Sequence, residues 1–414
     1  MKPDEARDLS RLVGVTLAGG TSRIGELHEG IASRAFGPLG PLGAPVRVVH
    51  DALASAAYRG IAGALQGAAR GVGAAAATLA GGGPLDAVPA ARTGLAVLNG
   101  AHGDLVRREA PALALDMTVR SAGRDVPLER AALAAAFPDA GDRLVVFLHG
   151  LTEHEGAWCY KAVTHHGRRD VTYGSLLERD LGLTPVYLRY NTGLHVSDNG
   201  RSLADLLGRL VERWPTPPRD LVLVGHSMGG LVARSALHLA GSGTPDAETW
   251  TRLVRDTITL GTPHLGAPLE RNVHKLAGAL ARLPETRPLA TLLTARSVGI
   301  KDLRRGTLVQ QDWDGRDLDS RSAGPHTHVP LHDGARHFVV LATLARDPDS
   351  RAAQLLGDLL VDPLSAQGDT GGEDRLAFPA DHVHHIGGLH HFDLLNHPGV
   401  YARLRDWLRE RPDD

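Results

Sequence analysis

The stretch LVLVGHSMGGLVARSAL, residues 221–237, decides the fold. Its first four residues are apolar and predict a buried strand, and residues 231–237 predict a helix that follows almost at once. A serine between two glycines at such a junction is typical of a sharp turn that exposes the serine hydroxyl, because glycine lets other backbone segments approach closely. We therefore expect Ser227 to be a nucleophile on this turn. The alternative interpretation is an ordinary glycine-rich turn without chemistry.

Similar apolar runs recur along the chain and predict further strands at residues 144–148, 185–188, 257–260 and 338–342, with an alternating run at 113–119. Runs that are apolar on both faces suit a parallel sheet covered by helices. Leucines at helical spacing predict a helix over residues 203–211, and a closing helix follows Pro398. The alternation predicts a doubly wound, mostly parallel α/β sheet, and with the serine turn it resembles the α/β-hydrolase fold.

Two regions depart from this alternation. Residues 1–110 read as an N-terminal helical region without a chemical motif, and residues 111–414 as the domain that carries the chemistry. The interval between the strands at 257–260 and 338–342 is too long for one crossover. It predicts a helical cap or lid at about 264–335. A helical elaboration with no gating role is the alternative.

Composition narrows the partners. The 414 residues carry a net charge of −2 with only 4% aromatics, so we expect no nucleic-acid partner. Cys159 is the single cysteine, which excludes a disulfide within the chain. The polar N-terminus shows no signal peptide, and arginines interrupt the Ala/Gly-rich residues 52–80. We therefore expect a cytoplasmic protein without an integral membrane segment, although this pattern does not exclude secretion.

A serine hydroxyl needs a base, and the base needs an orienting acid. In α/β-hydrolases these follow the serine in the order acid, then histidine. His390 and His391, on the loop after a possible strand at 382–386, are both candidates for the base. Asp358 is favoured as the acid over Asp362 because Asp362 precedes a proline, which is common in solvent turns.

An oxyanion hole needs two backbone amides near the serine. One comes from the residue after the nucleophile, Met228. We expect the other to come from the loop that follows the strand at 144–148, and we choose Leu151 in the run His149-Gly150-Leu151.

Several motifs together resemble bacterial esterases and lipases related to the GPI inositol-deacylase family, over about residues 95–410. They are FLHGL at 147–151, YNTG at 190–193, VGHSMGG at 224–230, LGTPHLGAP at 260–268, GDLLV at 357–361 and HFDLL at 391–395. The resemblance implies a carboxylic ester hydrolase acting on lipid-like substrates. It selects His391 over His390. The family's second glycine at the acid motif is replaced by Leu359 here, so Asp362 stays an alternative.

These motifs also mark the side chains and loops that we expect to line the substrate site: His149, Gly150, Asn191, Thr192 and His226. Histidines cluster at His326 and His328 and over residues 382–385, but no Cys/His spacing matches a zinc site. We expect no metal and no cofactor.

The leading hypothesis is a serine esterase or lipase in lipid metabolism that cleaves small-molecule or lipid esters through an acyl-enzyme. Transient contact with a lipid surface would be compatible with it. An intracellular polyester depolymerase or an acyltransferase would use the same residues. A non-catalytic binding module on the same fold is the non-enzymatic alternative, and it should lack one member of the triad. Candidates for all three members are present.

Overall fold

The computed structural model describes residues 2–9, 11–12, 84–241, 249–267, 297–316, 327–346, 358, 360–369 and 375–409. Contacts divide the chain into two compact units. One comprises Met1–Arg92 with Leu105–Ala114, and the other comprises Thr93–Asp104 with Leu115–Asp414.

The first unit is helical where it is described, as predicted for the N-terminal region. Residues 3–9 form a helix whose acidic side chains bind backbone amides further along the chain. The Glu5 carboxylate accepts from the Leu85 amide at 3.0 Å, and Asp8 accepts from the Ala112 amide at 2.7 Å. Residues 13–83, which include the Ala/Gly-rich segment, lie outside the described residues.

The second unit contains an eight-stranded sheet in the described part of the chain. The strands are β1 (Thr118–Ser121), β2 (Arg124–Val126), β3 (Arg143–Leu148), β4 (Thr184–Arg189), β5 (Asp220–His226), β6 (Val254–Leu260), β7 (Arg336–Thr343) and β8 (Val383–Gly387). Their order is β2-β1-β4-β3-β5-β6-β7-β8. β1 is antiparallel to both neighbours, and all the other pairs are parallel. The predicted mostly parallel sheet is confirmed.

The α-helices that connect and flank these strands and are described from end to end are α1 (Pro89–Glu109), α2 (Arg130–Ala136), α3 (Ala162–His166), α4 (Tyr173–Leu181), α5 (Val196–Arg213), α6 (Met228–Ala240), α7 (Val298–Arg305), α8 (Pro363–Ala366) and α9 (Pro398–Arg409). Helix α1 kinks at His102, where the backbone leaves helical geometry. The helices predicted at 203–211 and after Pro398 fall within α5 and α9. Within the described residues, no helix has both the length and the apolar character needed to span a bilayer.

Alternate residues of the central strands pack into two separate hydrophobic layers, as the two-residue period of a strand requires. Val146 and Leu223 face the layer that contains the leucines of α5 and α6. Phe147 and Val224 face the layer that contains α4 and α9. All seven residues of β5 are buried, which explains why its sequence is continuously apolar from Leu221 to Val224.

The strand predicted at 113–119 is wrong over its first residues, since β1 begins only at Thr118. Pro111 opens a 3-10 turn over Pro111–Leu113, and the Leu115 amide donates to the Asn99 side chain at 3.0 Å instead of to a strand. The alternating apolar residues before Thr118 therefore indicate buried side chains and not a strand paired with a neighbour.

The predicted cap at about 264–335 is described only in part. Helix α7 belongs to it, and the Gly299 amide donates to the Gly193 carbonyl at 3.2 Å, which attaches α7 to the loop after β4. Residues 268–296 and 317–326 lie outside the described residues, so the gating role stays a prediction.

The parallel register brings the site loops to one edge of the sheet. Leu148 pairs with Gly225 and His226 pairs with Leu260, so β3, β5 and β6 end at nearly the same level. The loops after these strands therefore meet at the carboxyl edge, where open α/β sheets hold their ligands.

Candidate active site

Ser227 occupies a strained turn between β5 and α6. Its φ of 53° and ψ of −121° lie in a region that side-chain-bearing residues rarely adopt, a strain that clusters at functional sites. The Ser227 amide donates to the Leu260 carbonyl at 2.8 Å, which holds the turn against β6.

The glycines on either side of Ser227 make this turn possible. A Cβ atom at Gly225 would overlap the backbone of Gly230, and one at Gly229 would overlap the carbonyl of Leu148. The backbone of the turn therefore packs at distances that only glycine permits.

His391 and Asp358 form a buried pair. His391 Nδ1 donates to Asp358 Oδ2 at 2.7 Å, and the His391 amide donates to the Asp358 carbonyl at 3.1 Å. Asp358 Oδ1 accepts from the amides of Leu360 and Val361 at 2.9 and 2.8 Å. Burial acts to lower the pKa of His391, but the charge and hydrogen bond of Asp358 outweigh it and raise that pKa.

Asp362 lies elsewhere, although the sequence made it an alternative acid. Its Oδ1 accepts from the Leu364 amide at 2.8 Å and caps the N-terminus of α8. The structure thus brings Asp358, and not Asp362, to the histidine. Leu359, whose replacement of glycine raised the question, lies outside the described residues.

His391 Nε2 is buried and has no hydrogen-bond partner among the described residues. The His391 ring lies 4.7 Å, between centroids, from the ring of His226, the residue that precedes Ser227. It also packs on Gly261, where a Cβ atom would come within 3.0 Å of His391 Cε1. An unpartnered ring nitrogen in this place can accept a proton from a hydroxyl group.

His390, the other candidate base, is bound outside this pair. Its Nε2 lies 3.2 Å from Asp393 Oδ2 and 3.5 Å from Lys161 Nζ. These contacts separate the roles of the two adjacent histidines, and only His391 lies against Asp358.

The loop after β3 presents the other expected groups. His149 is fully buried, stacks on Tyr190 with 4.4 Å between ring centroids and donates from Nδ1 to the Gly150 carbonyl at 2.9 Å. Burial lowers the pKa of His149 to about 4, so this ring is neutral at pH 7. Its bonds are internal to the protein, which favours a role in shaping the loop.

Two backbone amides were predicted to form the oxyanion hole. The Leu151 amide donates to no acceptor within the part of the chain that the structure describes. Met228 is the first residue of α6, so its amide has no acceptor within the helix. The Gly150 amide, by contrast, donates to Glu153 Oε2 at 2.6 Å. Neither the Leu151 nor the Met228 amide is engaged in this way among the described residues, and their role in an oxyanion hole stays a prediction.

Asn191 and Thr192 were expected to contact substrate, but the structure gives both side chains protein partners. Asn191 Nδ2 donates to the Gly103 carbonyl at 3.2 Å, and Asn191 Oδ1 accepts from the Gly193 amide at 3.0 Å. Thr192 Oγ1 accepts from the Thr152 amide at 3.1 Å. Both residues are buried and hold loops in place, and their contact with a substrate stays a prediction.

Glu153 is a residue of this site that the motifs do not mark. Its buried carboxylate accepts from His226 Nδ1 at 3.0 Å as well as from the Gly150 amide. His226 was expected to line the substrate site, and this stays a prediction, while both of its ring nitrogens contact protein groups. The only sequence signal is an acidic residue three positions after Gly150.

The described residues contain no candidate metal site. Among them, no group of three or more His, Cys, Asp or Glu side chains is arranged to hold a metal ion. His328 is described, whereas His326 lies outside the described residues.

An eight-stranded sheet in this order, with a strained serine after β5, an acid after β7 and a histidine after β8, is the α/β-hydrolase fold. Residues 186–331 match the family model of the PGAP1-like alpha/beta domain, which confirms the resemblance drawn from the motifs. The comparison with curated proteins gives no match.

Solved structures similar to this chain include esterases and lipases. Mature Bacillus licheniformis lipase BlEst2 is 20% identical with a TM-score of 0.40, covering 64% of this chain and 93% of that one. Pyrococcus furiosus esterase Pf2001 is 15% identical with a TM-score of 0.35, covering 65% and 82%. Naproxen esterase (carboxylesterase NP) from Bacillus subtilis is 14% identical with a TM-score of 0.36, covering 65% and 84%.

Proposed function

We propose that this chain is a serine esterase or lipase that hydrolyses carboxylic esters through an acyl-enzyme on Ser227. The observation that carries the proposal is the buried His391–Asp358 pair, in which Nδ1 and Oδ2 are 2.7 Å apart. Nε2 of the same ring has no hydrogen-bond partner among the described residues, and this ring lies 4.7 Å from the ring of His226, which precedes Ser227. Hydrogen-bonded pairs of this kind activate a serine hydroxyl, which is a poor nucleophile alone.

In the first half-reaction Ser227 Oγ attacks the ester carbonyl carbon while His391 Nε2 takes the hydroxyl proton. The amides of Leu151 and Met228 stabilise the oxyanion, and each such donor is worth about 3–4 kcal/mol of transition-state stabilisation. The C–O bond to the alcohol then breaks, and His391 returns the proton to the departing alkoxide. Asp358 keeps Nδ1 protonated, so that Nε2 is the basic nitrogen throughout.

The second half-reaction repeats the same chemistry with water. His391 Nε2 removes a proton from a water molecule, whose oxygen attacks the acyl carbon. Collapse of the second tetrahedral intermediate breaks the bond to Ser227 Oγ, which regains its proton from His391. The products are an alcohol and a carboxylic acid.

The substrate class we propose is an apolar or lipid-like ester. Its support is the match to the PGAP1-like alpha/beta domain, together with exposed apolar side chains at the carboxyl edge of the sheet. Leu265 follows β6 and is 36% exposed, and Leu364 in α8 is 60% exposed. The Leu265 amide donates to Ser365 Oγ at 3.2 Å, so the segments that carry these two leucines are in contact.

A covalent probe tests the proposal. A fluorophosphonate should phosphonylate the purified protein once, and mass spectrometry of the digested protein should locate the adduct on Ser227, because the probe reacts with a serine only where a base and an oxyanion hole are assembled. Ser227→Ala is the control and should stay unlabelled. An adduct on another serine, or an equal yield in the control, would refute the assignment.

A further inference from the structure

Glu153 closes the turn that carries the Leu151 amide. Its Oε2 accepts from the Gly150 amide at 2.6 Å, and its own amide donates to the Gly150 carbonyl at 3.2 Å. Thr152, inside this turn, has a φ of 62°, a left-handed conformation that a residue with a side chain keeps only when its surroundings hold it. The carboxylate is therefore part of what fixes the direction of the Leu151 amide.

The same oxygen reaches the serine turn. His226 Nδ1 donates to Glu153 Oε2 at 3.0 Å, and His226 Nε2 lies 3.2 Å from the carbonyl oxygen of His391. One set of contacts thus runs from the loop after β3, through the residue beside Ser227, to the loop of His391. Three loops that come from distant parts of the sequence are joined by one carboxylate and one imidazole.

The atoms around Gly150 are closely packed. A Cβ atom built on Gly150 would lie 3.0 Å from Ser227 Cβ, 3.0 Å from His226 Nδ1 and 3.1 Å from Glu153 Oε2. The Gly150 backbone, the serine and the Glu153–His226 pair are therefore in mutual contact. A shift of the carboxylate moves the turn relative to Ser227.

Glu153 remains charged at this buried place. Burial acts to raise the pKa of Glu153, but the charge and hydrogen bond of His226 and the Gly150 amide outweigh it and lower that pKa. His149 also faces Glu153, and His390 and Asp358 face His391. The negative charge of Glu153 adds to that of Asp358 in raising the pKa of His391.

We propose that Glu153, acting through His226, is a positioning residue that holds the Leu151 amide and His391 in register around Ser227. The inference rests on the proposed function, because it assigns a task to that same site. A buried carboxylate costs folding free energy unless it is paired. The carboxylate of Glu153 is paired with the Gly150 amide and with the ring of His226, the residue before Ser227.

The test compares Glu153→Ala and Glu153→Gln with the wild type on a p-nitrophenyl ester. Glu153→Ala should lower kcat by about 100-fold with little change in KM, because misplaced catalytic groups affect the transition state. Glutamine still offers Gly150 an acceptor but carries no charge. Glu153→Gln should therefore lose less activity, and the acidic limb of its kcat/KM profile should move to lower pH. Glu212→Gln removes an exposed charge on α5 and is the control. It should change neither kcat nor the position of the acidic limb.

Wild-type kcat in a folded Glu153→Ala variant would overturn the proposal, and so would an acidic limb in Glu153→Gln that stays at the wild-type position. If Glu153→Ala does not fold, the pH profile of Glu153→Gln decides alone. Ser227→Ala distinguishes a failure of the positioning role from a failure of the proposed function. If it is inactive while the Glu153 variants behave as wild type, only the positioning role fails, whereas activity in Ser227→Ala would refute the proposed function.

Discussion

Asp358 and Asp362 lie four residues apart and have different tasks. Asp358 binds the imidazole of His391 and two amides of its own turn, whereas Asp362 binds the first turn of α8. The acid of a triad fixes the tautomer of its histidine, so its substitution by the isosteric amide affects catalysis far more than folding.

Asp358→Asn should lower kcat by about 10⁴-fold, the loss typical when the histidine takes the wrong tautomer. Asp362→Asn is the matched control, because asparagine caps a helix as well as aspartate does. It should keep wild-type kcat and melting temperature. Ester turnover by both variants decides the question, and a large loss confined to Asp362→Asn would exchange the two assignments.

The pH dependence of activity follows from the raised pKa of His391. The base must be neutral to accept the serine proton, so kcat/KM rises with pH through that pKa. Because Asp358 raises it, the midpoint of the acidic limb should lie above the ordinary histidine value of 6.5. This midpoint is measured from a profile of kcat/KM between about pH 5 and 9, which covers the range in which histidines titrate. A midpoint below 6.5 would contradict the electrostatic account.

At the scale of single residues, the sequence predicts which residues form the candidate site better than it predicts their hydrogen-bond partners. Ser227, Asp358 and His391 stand in motifs because the order of chemistry along an α/β-hydrolase chain is regular. Glu153 and the internal bonds of Asn191 could not be predicted in the same way. Their partners, His226 and Gly103, are far away in sequence, and only the folded chain brings them together.

The turn between β5 and α6 is the element on which the site depends. Gly225 faces the backbone of Gly230, and Gly229 faces the backbone of Leu148, so a side chain at either position must displace main chain and not merely another side chain. Overpacking of this kind is costly, because backbone atoms cannot move to a new rotamer.

Gly229→Ala should destabilise the protein on the order of 1–3 kcal/mol, since its Cβ overlaps the Leu148 carbonyl. Gly94→Ala in α1 is the matched control, because no heavy atom of the described residues outside its own stretch of helix lies within 4 Å of its Cβ position. Alanine in a helix interior should stabilise by about 0.5–1 kcal/mol. Urea unfolding of both variants measures these changes, and equal stability of Gly229→Ala and the wild type would disprove the close packing.

Among the elements, buried parallel strands are predicted well because a short, continuous apolar run bounded by turns is typical of a strand that is covered on both faces. Strands β3 to β7 coincide with such runs. The start of strand β1 was misplaced because a proline and the Asn99 side chain compete for the backbone there. Local patterns do not contain a competitor that lies 16 residues away.

At the scale of the whole molecule, sheet register assembles the site. Residues after β3, β5, β7 and β8 meet because the strands are parallel and end together. The sequence alternation predicts this architecture, and from it the edge at which the chemistry lies. The gating role of the cap stays a prediction, since residues 268–296 are outside the described residues.

The central claim is that this assembly makes Ser227 a nucleophile, and turnover by Ser227→Ala tests it most directly. With a p-nitrophenyl ester, and with an unchanged melting temperature to show that the fold is intact, kcat should fall by about 10⁴-fold or more, as for a triad serine. Retention of most of the wild-type kcat in the folded variant would contradict the account.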